Sequence, residues 1–92
     1  MRPVHPGRIL RREIEAHRLS ANALAIALRT PSGRVTDILN GKRGVSPETA
    51  MRFARYFGNS ARFWLNLQTA YELALAEAKL GERIVAEVTP AA

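Results

Sequence analysis

The chain contains no cysteine, which excludes disulfides, thiolate zinc sites and cysteine nucleophiles and fits a reducing compartment. His5 and His17 are its only histidines, too few to hold a metal unless several carboxylates gather beside them. Neither a metal nor a cofactor is expected. No apolar run approaches the roughly 18–20 residues of a membrane span, and Met1-Arg2-Pro3-Val4 is not followed by a signal-type hydrophobic stretch. The expectation is a soluble, cytoplasmic protein without a membrane partner. Glycine-rich phosphate loops and Ser/His/Asp sets are also missing, and Glu13, Glu15 and Glu48 are scattered along the chain, so catalysis is not expected.

Acidic residues are in short supply too, eight against fourteen lysines and arginines, and the deficit is uneven. Residues 1–59 carry eleven basic and four acidic side chains, a balance of +7, whereas residues 60–92 carry three and four, a balance of −1. The basic excess belongs to the first two thirds, as an electrostatic footprint on phosphates requires. Ninety-two residues suit one domain with one modest core, and no internal repeat, low-complexity tract or linker divides 1–92.

Helical periodicity dominates what is present. Pro6 suits a first helical position, and Ile9, Leu10 and Ile14 give one apolar side to a helix ending near His17, with Arg8, Arg11 and Arg12 off it. Ser20 is a good N-cap for a second helix, on which Leu24, Ala27 and Leu28 repeat at helical spacing. Arg29-Thr30-Pro31 then forces a turn, because the proline lacks a donor and biases Thr30 away from helical backbone. A third helix starts at Pro31 or Ser32, turns Val35, Ile38 and Leu39 inward, and stops at Asn40-Gly41. Ser46-Pro47-Glu48 opens a fourth helix with Ala50, Phe53, Ala54 and Phe57 as its stripe and Gly58 at its end. Ser60 caps a fifth, running to about Lys79. Past Gly81, the alternation of Ile84, Ala86 and Val88 predicts a short strand or extended arm, a tail over 81–92.

Two short helices joined by a turn, over about 20–40, are the layout of a DNA-binding helix-turn-helix. A recognition helix points its first turns at base edges, so Ser32, Gly33, Arg34, Thr36 and Asp37 are the candidate base readers. Arg34 leads, because a guanidinium pairs bidentately with guanine O6 and N7. Gly33 is costly in a helix and suits a close approach of backbone to DNA. Asp37 is expected to orient Arg34, and Ser20, Asn22, Lys42 and Arg43 are candidate phosphate contacts. The fifth helix carries apolar residues on more than one face, among them Phe63, Trp64, Leu67, Tyr71 and Leu75, which read as core or dimer interface. The surplus is expected to meet a second chain, the alternative being cover by the tail.

Several pieces together narrow the reading: His5-Pro6-Gly7 with Ile9-Leu10; Leu19-Ser20 followed by Asn22-Ala23-Leu24-Ala25; Val35 and then Ile38 through Gly44; Ser46 through Ala50; and Phe63-Trp64-Leu65-Asn66-Leu67-Gln68. Spanning residues 5–71, they resemble the HigA/VapI type of antitoxin within the Xre/Cro group of repressors. The resemblance implies an all-α, five-helix, lambda-repressor-like domain with a C-terminal dimerisation helix. It also implies a homodimer that binds an inverted-repeat operator in double-stranded DNA, represses its own promoter and neutralises a small basic ribonuclease toxin encoded beside it. A stand-alone Cro-like regulator, or a protein-binding module with a vestigial helix-turn-helix, stays open. Two positions depart from the helix-turn-helix pattern: Arg29 stands where glycine is frequent at the turn, which predicts a left-handed backbone there, and Ala21 where a phosphate-gripping glutamine is frequent.

Overall fold

The structure is a computed structural model describing residues 3–91, and among these it has five α-helices and no strand. They are α1 (Pro6–Ala16), α2 (Ala21–Leu28), α3 (Ser32–Leu39), α4 (Pro47–Phe57) and α5 (Ala61–Glu87). Four of them begin where a side chain accepts a hydrogen bond from an amide that the helix itself leaves unpaired. His5 Nδ1 accepts from Gly7 N at 2.9 Å, Ser20 Oγ from Ala23 N at 3.0 Å, Ser46 Oγ from Thr49 N at 3.3 Å and Ser60 Oγ from Phe63 N at 3.0 Å. Only α3, entered from Pro31, has no side-chain cap.

The core joins all five helices. Leu10, Leu24, Val35, Ile38, Ala50, Phe53 and Trp64 are completely buried, each large side chain contributing roughly 1.5–3 kcal/mol by leaving water. The Trp64 indole N–H donates to Asn59 Oδ1 at 2.8 Å, so the largest core residue strands no polar atom. On α2 the buried stripe is Leu24, Ala25 and Leu28, while Ala27, expected inward, is exposed. Its place over the core is taken by Ala25, because an eight-residue helix held by α3 on one side and α4 on the other turns only one narrow face inward.

Two close approaches set the recognition helix. Gly7 lies so near α3 that an added Cβ would run into the Ile38 carbonyl, which gives His5-Pro6-Gly7 a three-part task of cap, first helical residue and backbone approach. At the other end of the helix-turn-helix, Arg52 on α4 reaches across, its Nη1 donating to the Leu28 carbonyl at 2.8 Å. A free carbonyl at the C-terminus of α2 is thereby satisfied by a cation, which also suits the helix dipole.

The tail expected after Gly81 is instead helix. α5 continues to Glu87, with Val88 as its extended C-cap. Gly81 costs a helix about 1 kcal/mol relative to alanine but does not break it, no proline intervenes before Pro90, and Arg83 Nε bonds Glu87 Oε1 at 2.7 Å one turn along. A strand there would have had no neighbour to pair with. Residues 88–91 therefore do not fold back over α5, and Leu73, Leu75, Ile84, Val85 and Val88 remain exposed. A 27-residue helix of about 40 Å accounts for the elongated shape, 52 × 22 × 21 Å.

Candidate nucleic-acid interface

The turn between α2 and α3 follows from Arg29, whose φ of 55° and ψ of 49° place it in the left-handed region. That conformation folds the chain back so that Thr30 N bonds the Ala25 carbonyl at 3.0 Å, and Pro31 then starts α3. Arg18, before α2, has φ 54° as well, a second left-handed arginine that its composition gave no reason to expect.

α3 presents its first turn outward. Ser32, Gly33 and Thr36 are exposed, and no side chain at Pro31 caps the leading amides. No atom lies within 4 Å of the position a Gly33 Cβ would occupy, so nothing inside the protein requires glycine there. Arg34 is half-buried, and its Nε is shielded from solvent without a hydrogen-bond partner.

Asp37 is not paired with Arg34 as expected. Its Oδ2 lies 3.8 Å from Arg43 Nε. The cause is the end of α3: Gly41 takes φ 73°, Gly41 N bonds the Ile38 carbonyl at 3.1 Å and Lys42 N the Asp37 carbonyl at 2.8 Å. These bonds turn residues 42 and 43 back beside the last turn of the helix. Both partners are about half exposed, so the pair is worth well under about 1 kcal/mol and is easily exchanged.

Lys42 and Arg43 are exposed, and so are Ser20 and Asn22 at the start of α2. Ser20 already accepts from Ala23 N, which fixes its hydroxyl at the end of the helix. The segment after α3 is anchored from behind by residues outside the candidate contact set. Val45 N donates to Gln68 Oε1 at 2.9 Å, and the His5 ring lies near the backbone of Arg43. His5 also meets Tyr71 edge-on, ring centroids 4.8 Å apart. Burial lowers the His5 pKa from its ordinary 6.5, a shift that the nearby backbone of Arg43 opposes.

The residues grouped as core or interface divide. Trp64 is buried, Leu67 packs against the core and Tyr71 is half-buried on His5, while Phe63 and Leu75 stay 40% and 45% exposed. Among the described residues, no three His, Cys, Asp or Glu side chains are placed to share a metal ion, and no helix is long and apolar enough to cross a membrane. The signal for Gln68 was present in the sequence: a polar residue four positions after Trp64 on the inward stripe of α5 must have a buried partner.

No family model matches the chain. Virulence-associated protein I of Dichelobacter nodosus is 49% identical over 78 residues, covering 84% of this chain and 72% of that protein. An addiction module antidote protein of the HigA family from Coxiella burnetii superposes with a TM-score of 0.94 at 50% identity, covering 98% of this chain and 99% of the other. Antitoxin HigA of Pseudomonas aeruginosa, solved with the higBA promoter, superposes with a TM-score of 0.95 at 46% identity, over 99% of this chain and all of the other.

Proposed function

The chain belongs to the HigA family of antitoxins, and from that premise we propose that it is a sequence-specific DNA-binding repressor and the antitoxin of a type II toxin–antitoxin pair. The observation that carries the DNA-binding part is the outward first turn of α3, uncapped and with open space over Gly33, bracketed by Arg34 and by the exposed pair Lys42 and Arg43. The Pseudomonas aeruginosa relative with this fold was solved with a promoter, which supports the same use of the surface here.

Labour divides along it. Ser32, Gly33, Arg34 and Thr36 read base edges in the major groove, with Arg34 supplying the bidentate donor pair. Ser20, Asn22, Lys42 and Arg43 hold phosphates and set the register. Asp37 balances Arg43 in the free protein and releases it to a phosphate when DNA arrives. The role is one of occupancy, without catalysis: the protein blocks its own promoter in the cytoplasm.

A dimer is supported by α5, on which Leu73, Leu75, Ile84 and Val85 are exposed, with Val88 just past its end, apolar surface that a second copy would cover. Two symmetric copies set their recognition helices about one DNA turn apart, roughly 34–36 Å, and so require an inverted repeat. The partner protein is a small ribonuclease toxin encoded next to this chain.

Co-expression with the neighbouring open reading frame, purification through a tag on this chain and footprinting on the DNA upstream test the whole reading. A co-purifying small protein that is toxic alone, together with a protected inverted repeat, is the expected result. Protection with no partner leaves a stand-alone regulator, and a partner with no protection leaves a protein-binding module; either outcome overturns the antitoxin–repressor reading.

A further inference from the structure

The turn of α5 around Gln68 lies against the segment that carries Lys42 and Arg43. Gln68 is only 9% exposed, and a buried amide needs partners at both ends. Its Oε1 accepts the Val45 N–H at 2.9 Å, and its Nε2 donates to Glu72 Oε1 at 2.9 Å. The two bonds are linked by chemistry. An ionised carboxylate only accepts, so Glu72 draws the amide nitrogen toward itself and thereby turns the oxygen toward the loop.

The fit is close. A Cβ on Gly44 would stand 2.7 Å from Gln68 Nε2 and 2.9 Å from its Cδ, so the loop backbone rests on the amide itself. Val45, one residue on, is 4% exposed and joins the core. At the other end, Lys42 N is tied to the Asp37 carbonyl. Only Arg43 and Gly44 lie between the two anchors. A segment so held loses little conformational freedom when it meets a phosphate, which is the usual origin of preorganised affinity.

We infer that Gln68 is the positioning residue for the DNA-backbone contacts: α5 fixes Gly44 and Val45 through it, and through them the placement of Lys42 and Arg43, with Glu72 selecting which way the amide faces. Gln68 touches no DNA in this arrangement. The inference rests on the reading that Lys42 and Arg43 contact phosphates, and it adds that the fifth helix sets how well they do so.

A double-mutant cycle separates the two claims. Operator affinity is measured across a salt series for the full-length wild type, for Gln68→Met, for Lys42→Ala with Arg43→Ala, and for all three changes together. Methionine keeps the volume of glutamine and removes both hydrogen bonds. Expected is a loss of about fivefold to tenfold for Gln68→Met, the scale of a buried hydrogen bond, with a shallower salt slope, and no further loss once Lys42 and Arg43 are already alanine. The exchange Gln68→Glu with Glu72→Gln preserves the net charge and an acceptor for Val45 N, with residue 72 now donating to residue 68, and despite the cost of burying the carboxylate it should recover part of the affinity and slope that Gln68→Met loses. Val45 amide exchange with solvent should quicken in Gln68→Met and slow again in the exchange variant, which reports on the free protein. If Lys42→Ala with Arg43→Ala leaves the slope unchanged, the phosphate reading fails. If it flattens the slope while Gln68→Met costs as much in that background as in wild type, the reading stands and the positioning role of Gln68 is overturned.

Discussion

The Ile38 carbonyl of α3 occupies the space that a Cβ on Gly7 of α1 would need. The obstacle is backbone, not the end of a flexible side chain, so neither helix can give way without moving the recognition helix. Gly7→Ala improves helix propensity by about 1 kcal/mol, but forcing a methyl into a packed site costs about 1–3 kcal/mol. Steric cost should win, and the melting temperature should fall by several degrees in a calorimetric scan. An unchanged or higher value would show that α1 can slide away from α3 freely.

Gly33 is the opposite case, with nothing within 4 Å of its absent Cβ. Gly33→Ala should raise the stability of the free protein by up to about 1 kcal/mol and weaken operator binding, because the methyl stands where DNA approaches α3. Thermal melting and a binding titration read the two effects separately. Stabilisation without any loss of affinity would remove Gly33 from the interface.

Arg29 holds a left-handed backbone, φ 55°, at a cost of roughly 1 kcal/mol for a residue with a side chain. Part of what glycine relieves there is offset by the freedom it adds to the unfolded chain. Arg29→Gly should therefore be neutral or raise the melting temperature, by at most about 4–8 °C for a domain of this size. A clear decrease would contradict a strained turn.

His5 accepts a hydrogen bond from Gly7 N at Nδ1, which only the unprotonated nitrogen does, and burial lowers its pKa. The folded state thus prefers the neutral ring. Its contribution is fully present above the ordinary value of 6.5. As pH falls below that, the unfolded ring gains a proton that the folded one resists, and stability falls until the lowered folded value is passed. Melting temperatures at about pH 7.5 and about pH 5.5 should differ in wild type and differ less in His5→Asn, where asparagine keeps a cap and removes the titration. Equal pH dependence in both proteins would discard this role of His5.

Much of this was legible in the sequence because local chemistry decided it. Ser20, Ser46 and Ser60 cap the helices that periodicity predicts, Pro31 and Gly58 divide them, and Arg29 takes the left-handed backbone expected of the turn. What escaped depends on residues distant in sequence. Arg52 reaches Leu28 across 24 positions, and Gln68 reaches Val45 across 23, and no periodicity encodes either bond. Sequence spacing pairs Asp37 with Arg34, its near neighbour on the helix, whereas the return of Arg43 depends on how Gly41 turns the chain. The end of α5 is hidden in the sequence for a different reason. Three apolar residues at alternate positions, Ile84, Ala86 and Val88, are too few to distinguish a strand from the last turns of a helix.

Whether α3 reads sequence while the segment after it holds the backbone is decided by one set of titrations. Wild type, Arg34→Ala, and Lys42→Ala with Arg43→Ala are titrated with the upstream DNA and with a scrambled duplex across a salt series. Wild type should prefer the upstream DNA, and Arg34→Ala should lose about tenfold or more of that preference, in line with a bidentate base contact. The Lys42 and Arg43 change should weaken both duplexes alike and reduce the salt slope by about 2 per protomer. No preference of wild type for the upstream DNA at any salt concentration, or a preference undiminished in Arg34→Ala, would show that α3 does not read sequence through Arg34.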